Sequence, residues 1–596
     1  MENAHPALKL AEIRSQIGEN LLYYPPGNPY CPDRRPLLAC MLVCKEWADT
    51  FRPLIWRKMF FSQREAYRLN KELVLKNGHH IRALILRDVS LLLHGWFDNC
   101  TQLTYLYFEP TMSQRRQLWA SPVLQNTLPA SDGPNIDLDF LSPDSIDLLR
   151  ALIDKNPNLA TLFEYWSNLT PQQTTLFQNS LCNHYNHLSQ IHLMRWEATV
   201  TDIQLLIDNS PKLRDFSFCY GSLHESTPPP TMPRTVNDLP SVPPLPCVSD
   251  KKAPEHRVVL DLKHIEKACF STSIFVGQTV PIIHIHAPEL TSYSWCGFIG
   301  ATRFLGTEPI ATSFLACSTW HCPRLSSFRV MLENDHILVG MPRMLETTEK
   351  LVDIAFERCV MSDEFLAALV HKHSLSLRKV NLKETKGVSS ASIGLILSSC
   401  PALFFFRGPH EGLHALDWVK APWVCHKLRF LTMFLDFSGL GPVYVSPPAP
   451  ENTPSSRNPF MTPDQERVVM SDAQAQEIYG VIYNQLAQLP ELCSINFGGA
   501  SNGKTYVMGV PWSLKSGLAK LSTLKKLDEI YVTESMRSIG VEEAEWMKAN
   551  WPRLKMVWRQ NGKKSVVTEG GLAKVERAFR PRVRVAIDLS GEQFPF

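Results

Sequence analysis

A chain of 596 residues, 44% of them hydrophobic, with a net charge of only +3, can bury several cores. It lacks the basic stripe that a nucleic-acid partner demands. No run of eighteen apolar residues occurs, and Met1 to Leu10 carry no charged segment followed by an apolar run, so neither a membrane span nor a secretory leader is expected. Of fifteen cysteines, only Cys40 with Cys44 and Cys317 with Cys322 have zinc-compatible spacing, and neither pair has a second pair nearby. Free thiols in a reducing cytoplasmic or nuclear compartment are therefore expected.

In chain order, the first sixty residues show helical spacing without strand alternation. Leu10, Ile13, Ile17, Leu21 and Leu22 recur at helical intervals, and Leu37, Leu38, Met41, Leu42 and Trp47 follow the turn-rich stretch from Tyr24 to Pro36. Two or three short helices cannot make a full core, so they must lean on the following residues, on a partner, or on both. Leu10-Ala-Glu12-Ile13, Leu38-Ala-Cys40-Met-Leu42-Val43-Cys44-Lys45-Glu-Trp47 and Pro53-Leu54-Ile-Trp56 together resemble an F-box, most specifically in the Val-Cys-Lys-x-Trp run. Ala11 stands where that family has proline, and Tyr23 to Arg35 lengthen the connection between the first two helices. The resemblance implies a small all-α module over 1–61.

Beyond it, short alternating segments recur: Ile81-Arg-Ala-Leu84-Ile-Leu86, then segments led by Leu103, Leu159, Leu188, Leu213 and Leu290, and later by Leu492, Leu524 and Leu554. In the centre, Leu325, Leu351, Leu377, Leu403 and Leu428 stand 26, 26, 26 and 25 residues apart. Such alternation fits half-buried strands, and a fixed period in the twenties predicts a solenoid of stacked units. Between strands the spacing turns helical. Ser142-Pro143, Thr201-Asp202, Ser362-Asp363 and Ser390 precede Ile146, Ile203, Phe365 and Ile393, each of which begins an apolar face. The chain resembles the longer, helix-bearing leucine-rich repeats, which implies an α/β horseshoe of parallel strands and helices over 62–558. Proline-rich, disordered insertions are expected near 110–143, 227–254 and 441–463, and a tail over 559–596.

In a strand reading Leu-x-x-apolar-x-apolar, the last two apolar residues point inward and their neighbours face outward. The outward set is Asp353, Ala355 and Glu357; Lys379, Asn381 and Lys383; Phe405 and Arg407; and Phe430, Thr432 and Phe434. It passes from acidic to basic to aromatic, a composition favoured at protein-binding hot spots. A one-residue slip would instead bury the phenylalanines, and Phe404 and Phe406 beside Phe405 leave both registers open.

An F-box followed by leucine-rich repeats is similar to the substrate receptors of SCF-type cullin-RING ubiquitin ligases, in particular the lineage-expanded receptors of fungi. The resemblance implies that Leu10, Ile13, Ile17, Leu21, Leu38, Val43, Cys44 and Trp47 dock on a Skp-type adaptor or support that docking, with a target protein on the concave face. It also implies a non-catalytic chain without cofactor or metal. Six to eight apolar side chains leaving water would supply about 10 to 20 kcal/mol against an association cost of about 4 to 15 kcal/mol. A competing reading is a repeat scaffold without ligase association, its helices serving as a cap.

A third reading, a metal-dependent hydrolase, rests on His410-Glu411-Gly-Leu-His414, which has His-Glu-x-x-His spacing. Asp417 and Lys420 break the longer zinc-protease pattern, and the segment also fits an outer helix with Leu413 and Leu416 facing the core. Gly498 to Thr505 has the spacing of a phosphate-binding loop, with Ser501 also in a nucleophile-elbow pattern. Gly509 and Pro511 disfavour the helix either would need. His284 with His286 and His371 with His373 have no evident third ligand.

Overall fold

The structure, a computed structural model, describes residues 11–21, 34–61, 70–87, 90–108, 143–164, 171–194, 196–219, 222–224, 257–272, 282–297, 320–337, 347–409, 413–414, 421–436, 472–498, 511–532, 539–560, 574–575, 577–580 and 583–588. The insertions expected near 110–143, 227–254 and 441–463 fall almost entirely outside the described residues. The chain is an α/β protein that divides into two units, residues 1–306 and 307–596.

The first unit begins with helices Ala11–Leu21, Arg35–Met41 and Lys45–Arg57. The third runs straight into the strand Lys58–Phe61, which pairs in parallel with Ala83–Leu86. Parallel pairing then continues in chain order through Tyr105–Phe108, Thr161–Glu164, Gln190–Met194, Asp215–Cys219, Lys267–Thr272 and Ser292–Gly297. One strand per coil of chain, with each coil lying beside the last, is the stacking that the repeated leucines predict.

Burial explains the repeat. Ile81, Leu103, Leu159, Leu188, Leu213 and Leu290 are all fully buried, and most close a tight turn. The amides of Leu159, Leu213 and Leu290 donate to the carbonyls of Asn156, Ser210 and Ala287, three residues upstream. Leu103 differs, because its amide donates to Oδ1 of the buried Asn156 in the next coil at 2.6 Å. Two coils escape the leucine pattern. The sheet starts at Lys58, one strand before Ile81, and Ile265 leads the strand Lys267–Thr272.

The second unit repeats this arrangement through Ser327–Ile337, Asp353–Val360, Lys379–Asn381, Phe405–Arg407, Phe430–Asp436, Ser494–Gly498, Glu529–Val532, Met556–Gln560 and Arg584–Asp588, each parallel to the one before. Leu325, Leu351, Leu377, Leu403 and Leu428 are fully buried. Helix Asp363–His373 is capped by Ser362 Oγ, which accepts from the Phe365 amide at 3.3 Å. Helix Ser390–Ser399 is capped by Ser389, one residue earlier than the apolar pattern suggests. Phe365, Leu366, Leu369, Ile393 and Leu397 are buried as their spacing predicts.

Three expectations are corrected. The coil assigned to Leu524 is led by Leu527, because the short helix Leu518–Thr523 occupies the preceding turn and the strand starts at Glu529. Leu413–His414 form a strand paired with Leu435–Asp436, which excludes the outer helix expected there. Residues 559–596, expected as a tail, hold the buried Val575, Phe579 and Val583 and the last sheet strand, Arg584–Asp588.

Candidate functional site

The helical module is built around Leu37, Phe51 and Leu54, with Leu21, Cys40, Met41, Trp47 and Ile55 packed against them. Gly18 permits the close approach of the first helix, since a Cβ there would lie 2.4 Å from Leu54 Cδ1 and 2.9 Å from the Phe51 ring. Trp47 meets Phe51 edge to face, with centroids 5.4 Å apart. Ion pairs Arg14–Glu46, at 3.2 Å, and Arg57–Glu19 tie the first helix to the third. Arg34 Nη2 donates to the Lys58 carbonyl at 2.6 Å and anchors the second helix to the first strand.

With that interior filled, three large apolar side chains remain outside: Leu38 at 49%, Val43 at 53% and Leu42 at 88% exposure. Exposed apolar side chains so close together in the chain make this edge of the module a candidate interaction surface. Of the residues expected to serve an adaptor, Leu38 and Val43 are exposed, Ile13, Ile17 and Cys44 are half-buried, and Leu21 and Trp47 support the interior. Leu10 lies outside the described residues. Leu42, the most exposed of all, was not in the expected set, although an apolar residue in the turn between two helices is a signal the sequence carries.

The second surface is the outward face of the strands in the second unit. Parallel register aligns Asp353, Lys379, Phe405, Phe430, Ser494, Glu529 and Met556 in one rung, and Ala355, Asn381, Arg407, Thr432, Asn496, Tyr531 and Trp558 in the next. The register is the outward one, for Phe406, Leu431 and Met433 are buried while Phe405 and Phe430 are half-exposed. Phe405 and Phe430 lie 6.1 Å apart, and Lys379 Nζ sits 5.3 Å over the Phe405 ring and 3.8 Å from Asp353. Burial raises the Asp353 pKa against the pull of Lys379 and Arg329. Ala355, in line with these residues, is buried by its neighbours.

At the far end of these strands Asn381 Nδ2 donates to Glu357 at 2.9 Å. Lys383 Nζ lies 3.5 Å from Glu384. Burial lowers the Arg407 pKa, although Glu357 and Glu384 oppose it. Phe434 lies in the strand Phe430–Asp436, but its side chain is outside the described residues. Sequence reasoning missed the continuation of this face into Tyr531 and Trp558, whose rings stack at 5.7 Å and 9°. It also missed an aromatic strip in the first unit, where Tyr105 and Tyr107 flank Phe163 and Phe163 stacks on His192 at 4.0 Å. The same alternation rule, applied to the Leu103, Leu159, Leu188, Leu527 and Leu554 coils, would have found both.

The catalytic patterns gain no geometry. His410, Glu411 and Ser501 to Thr505 lie outside the described residues, and His414 lies in a strand. His286 Nδ1 is 3.1 Å from Asp261, His371 is exposed and His373 is buried. Among the described residues no group of three or more His, Cys, Asp or Glu could hold a metal, and no helix is long and apolar enough to cross a membrane. No protein-family model matches the chain, and no curated protein matches it.

Proposed function

We propose that the chain is the substrate-recognition subunit of an SCF-type ubiquitin ligase, an F-box followed by leucine-rich repeats. Its helical module would dock on a Skp-type adaptor, and the outward strand face would hold a target protein. The observation that carries this reading is the patch of Leu38, Leu42 and Val43, left in water beside a module whose interior is already complete. An apolar helix-turn surface of this kind suits helix-in-groove docking. The Phe405–Phe430 pair with Lys379 and Asp353 supports the second half, since aromatic anchors beside desolvated charges are typical of hot spots. Ubiquitin transfer in such a complex belongs to partner subunits, so this chain would carry no catalytic group.

The second reading, a protein-binding scaffold without ligase association, draws support from the join at Arg57 and Lys58, where helix passes into sheet as a terminal cap would. Co-precipitation of the full chain with a purified Skp-type adaptor separates the two. The expected result is binding that Leu38→Glu with Leu42→Glu abolishes while the thermal unfolding profile stays unchanged. If the unaltered chain fails to bind, the ligase reading falls and the scaffold stands.

A further inference from the structure

Two thiols on the outward face of the first unit touch. Cys219 ends the strand Asp215–Cys219, and Cys269 lies in the neighbouring strand Lys267–Thr272. The register sets Cys269 beside Ser217, two residues before Cys219 and therefore on the same side of its strand. The two sulfurs are 3.7 Å apart, which is contact distance. Both cysteines are half-buried rather than enclosed. Elsewhere in the chain Cys100, Cys400 and Cys425 are buried, and burial pushes their thiols up to about 12, where almost no thiolate forms near neutrality.

We propose that Cys219 and Cys269 form a paired-thiol site that a hydroperoxide oxidises to a disulfide. One thiolate attacks the peroxide, so that an S–O bond forms, the O–O bond breaks, and the leaving oxygen departs as water or an alcohol after taking up a proton. The second thiolate attacks the resulting sulfenic sulfur; the S–S bond forms, the S–O bond breaks, and the hydroxyl leaves as water with the second proton. Two thiols lose two electrons and two protons, and the peroxide gains them.

A resolving thiol already in contact directs oxidation to the disulfide before higher oxides form. Closing from 3.7 Å to a bond of about 2.05 Å moves each sulfur by less than about 1 Å. Cys269 stands opposite Ser217, however, a diagonal of about 7 to 8 Å between the cysteine Cα atoms, so the strand end at Cys219 must also shift toward Cys269 as the bond forms. The bridge would staple two neighbouring coils whose connection runs through residues 220–268, a long loop for a single crosslink. This site is independent of the ligase reading.

The test treats the full chain with one equivalent of hydrogen peroxide, blocks the remaining thiols and maps the peptides by mass spectrometry. The expected product is a Cys219–Cys269 crosslink that dithiothreitol reverses. In Cys269→Ser, Cys219 should instead be trapped as a sulfenic acid by dimedone. Recovery of both cysteines as free thiols while the exposed Cys182 is oxidised would overturn the proposal, as would a link from either to another cysteine.

Discussion

His373 Nδ1 accepts the backbone N–H of Leu351 at 3.3 Å, from the end of the helix that follows the Leu351 strand. Accepting that bond requires a lone pair on Nδ1, so the ring is neutral with its proton on Nε2. Protonation would set one N–H against another inside the core. Burial accordingly lowers the His373 pKa from its ordinary 6.5 to about 4, with Lys372 adding to the effect.

A folded pKa below the unfolded value means that the unfolded chain takes up the proton first as pH falls. The contribution of His373 to stability is therefore fully present above about pH 6.5 and is lost as pH drops toward about 4. His192, also held at about 4 by burial, acts in the same window. Asn156 performs the equivalent task for Leu103 without titrating. His373→Asn is thus expected to flatten part of the loss between pH 6.5 and 4, measured as denaturation midpoints across pH; an unchanged profile would assign the acid sensitivity elsewhere.

Leu42 and Phe51 lie in the same module with opposite surroundings. Leu42→Ala should change stability by less than about 0.5 kcal/mol, because the side chain is already in water. Phe51→Ala should cost about 3 to 5 kcal/mol through the cavity it leaves. Urea titrations of the two variants check the contrast, and equal losses would mean that the exposed patch is in truth packed.

Gly18 is a packing requirement. A larger residue normally favours a helix interior over glycine, yet any Cβ here meets Leu54 and Phe51. Gly18→Val is expected to destabilise by about 1 to 3 kcal/mol through overpacking, read as a lower Tm. A higher Tm would show that the first helix is only loosely held.

Phe406 and Phe430 test the register of the strand face. Phe406→Ala should cost about 3 to 5 kcal/mol, since Phe406 is fully buried. Phe430→Ala should cost about 1 kcal/mol, the usual scale of a half-exposed substitution, and should weaken target capture. Comparing Tm with the yield of co-purified target distinguishes the two roles, and a larger Tm loss for Phe430→Ala would reverse them.

The leucines were legible because a residue fully withdrawn from water in every coil cannot vary freely. Phe405 and Phe430 were legible through simple alternation. Other features were hidden for identifiable reasons. Ile265 and Val583 lead or precede strands without the expected leucine, so their coils went unseen. Tyr531 escaped because Leu524, an apolar residue in the turn, has the same spacing to Leu527 that a strand leucine has to its first inward neighbour. The roles of Asn156 and His373 depend on contacts across 53 and 22 residues, which no local pattern encodes. At 410–414 the His-Glu-x-x-His spacing invited a helix, whereas Leu413–His414 pair with a strand already in the sheet.

The passage from Arg57 to Lys58 leaves no residue between the last helix of the module and the first strand. The module consequently has no swivel. A partner seated over Leu42 would be carried at a fixed bearing to the first coil, and each further strand lies about 4.8 Å along. Within the first unit the coil number becomes a ruler: whichever coil holds a second molecule also sets its distance from the first.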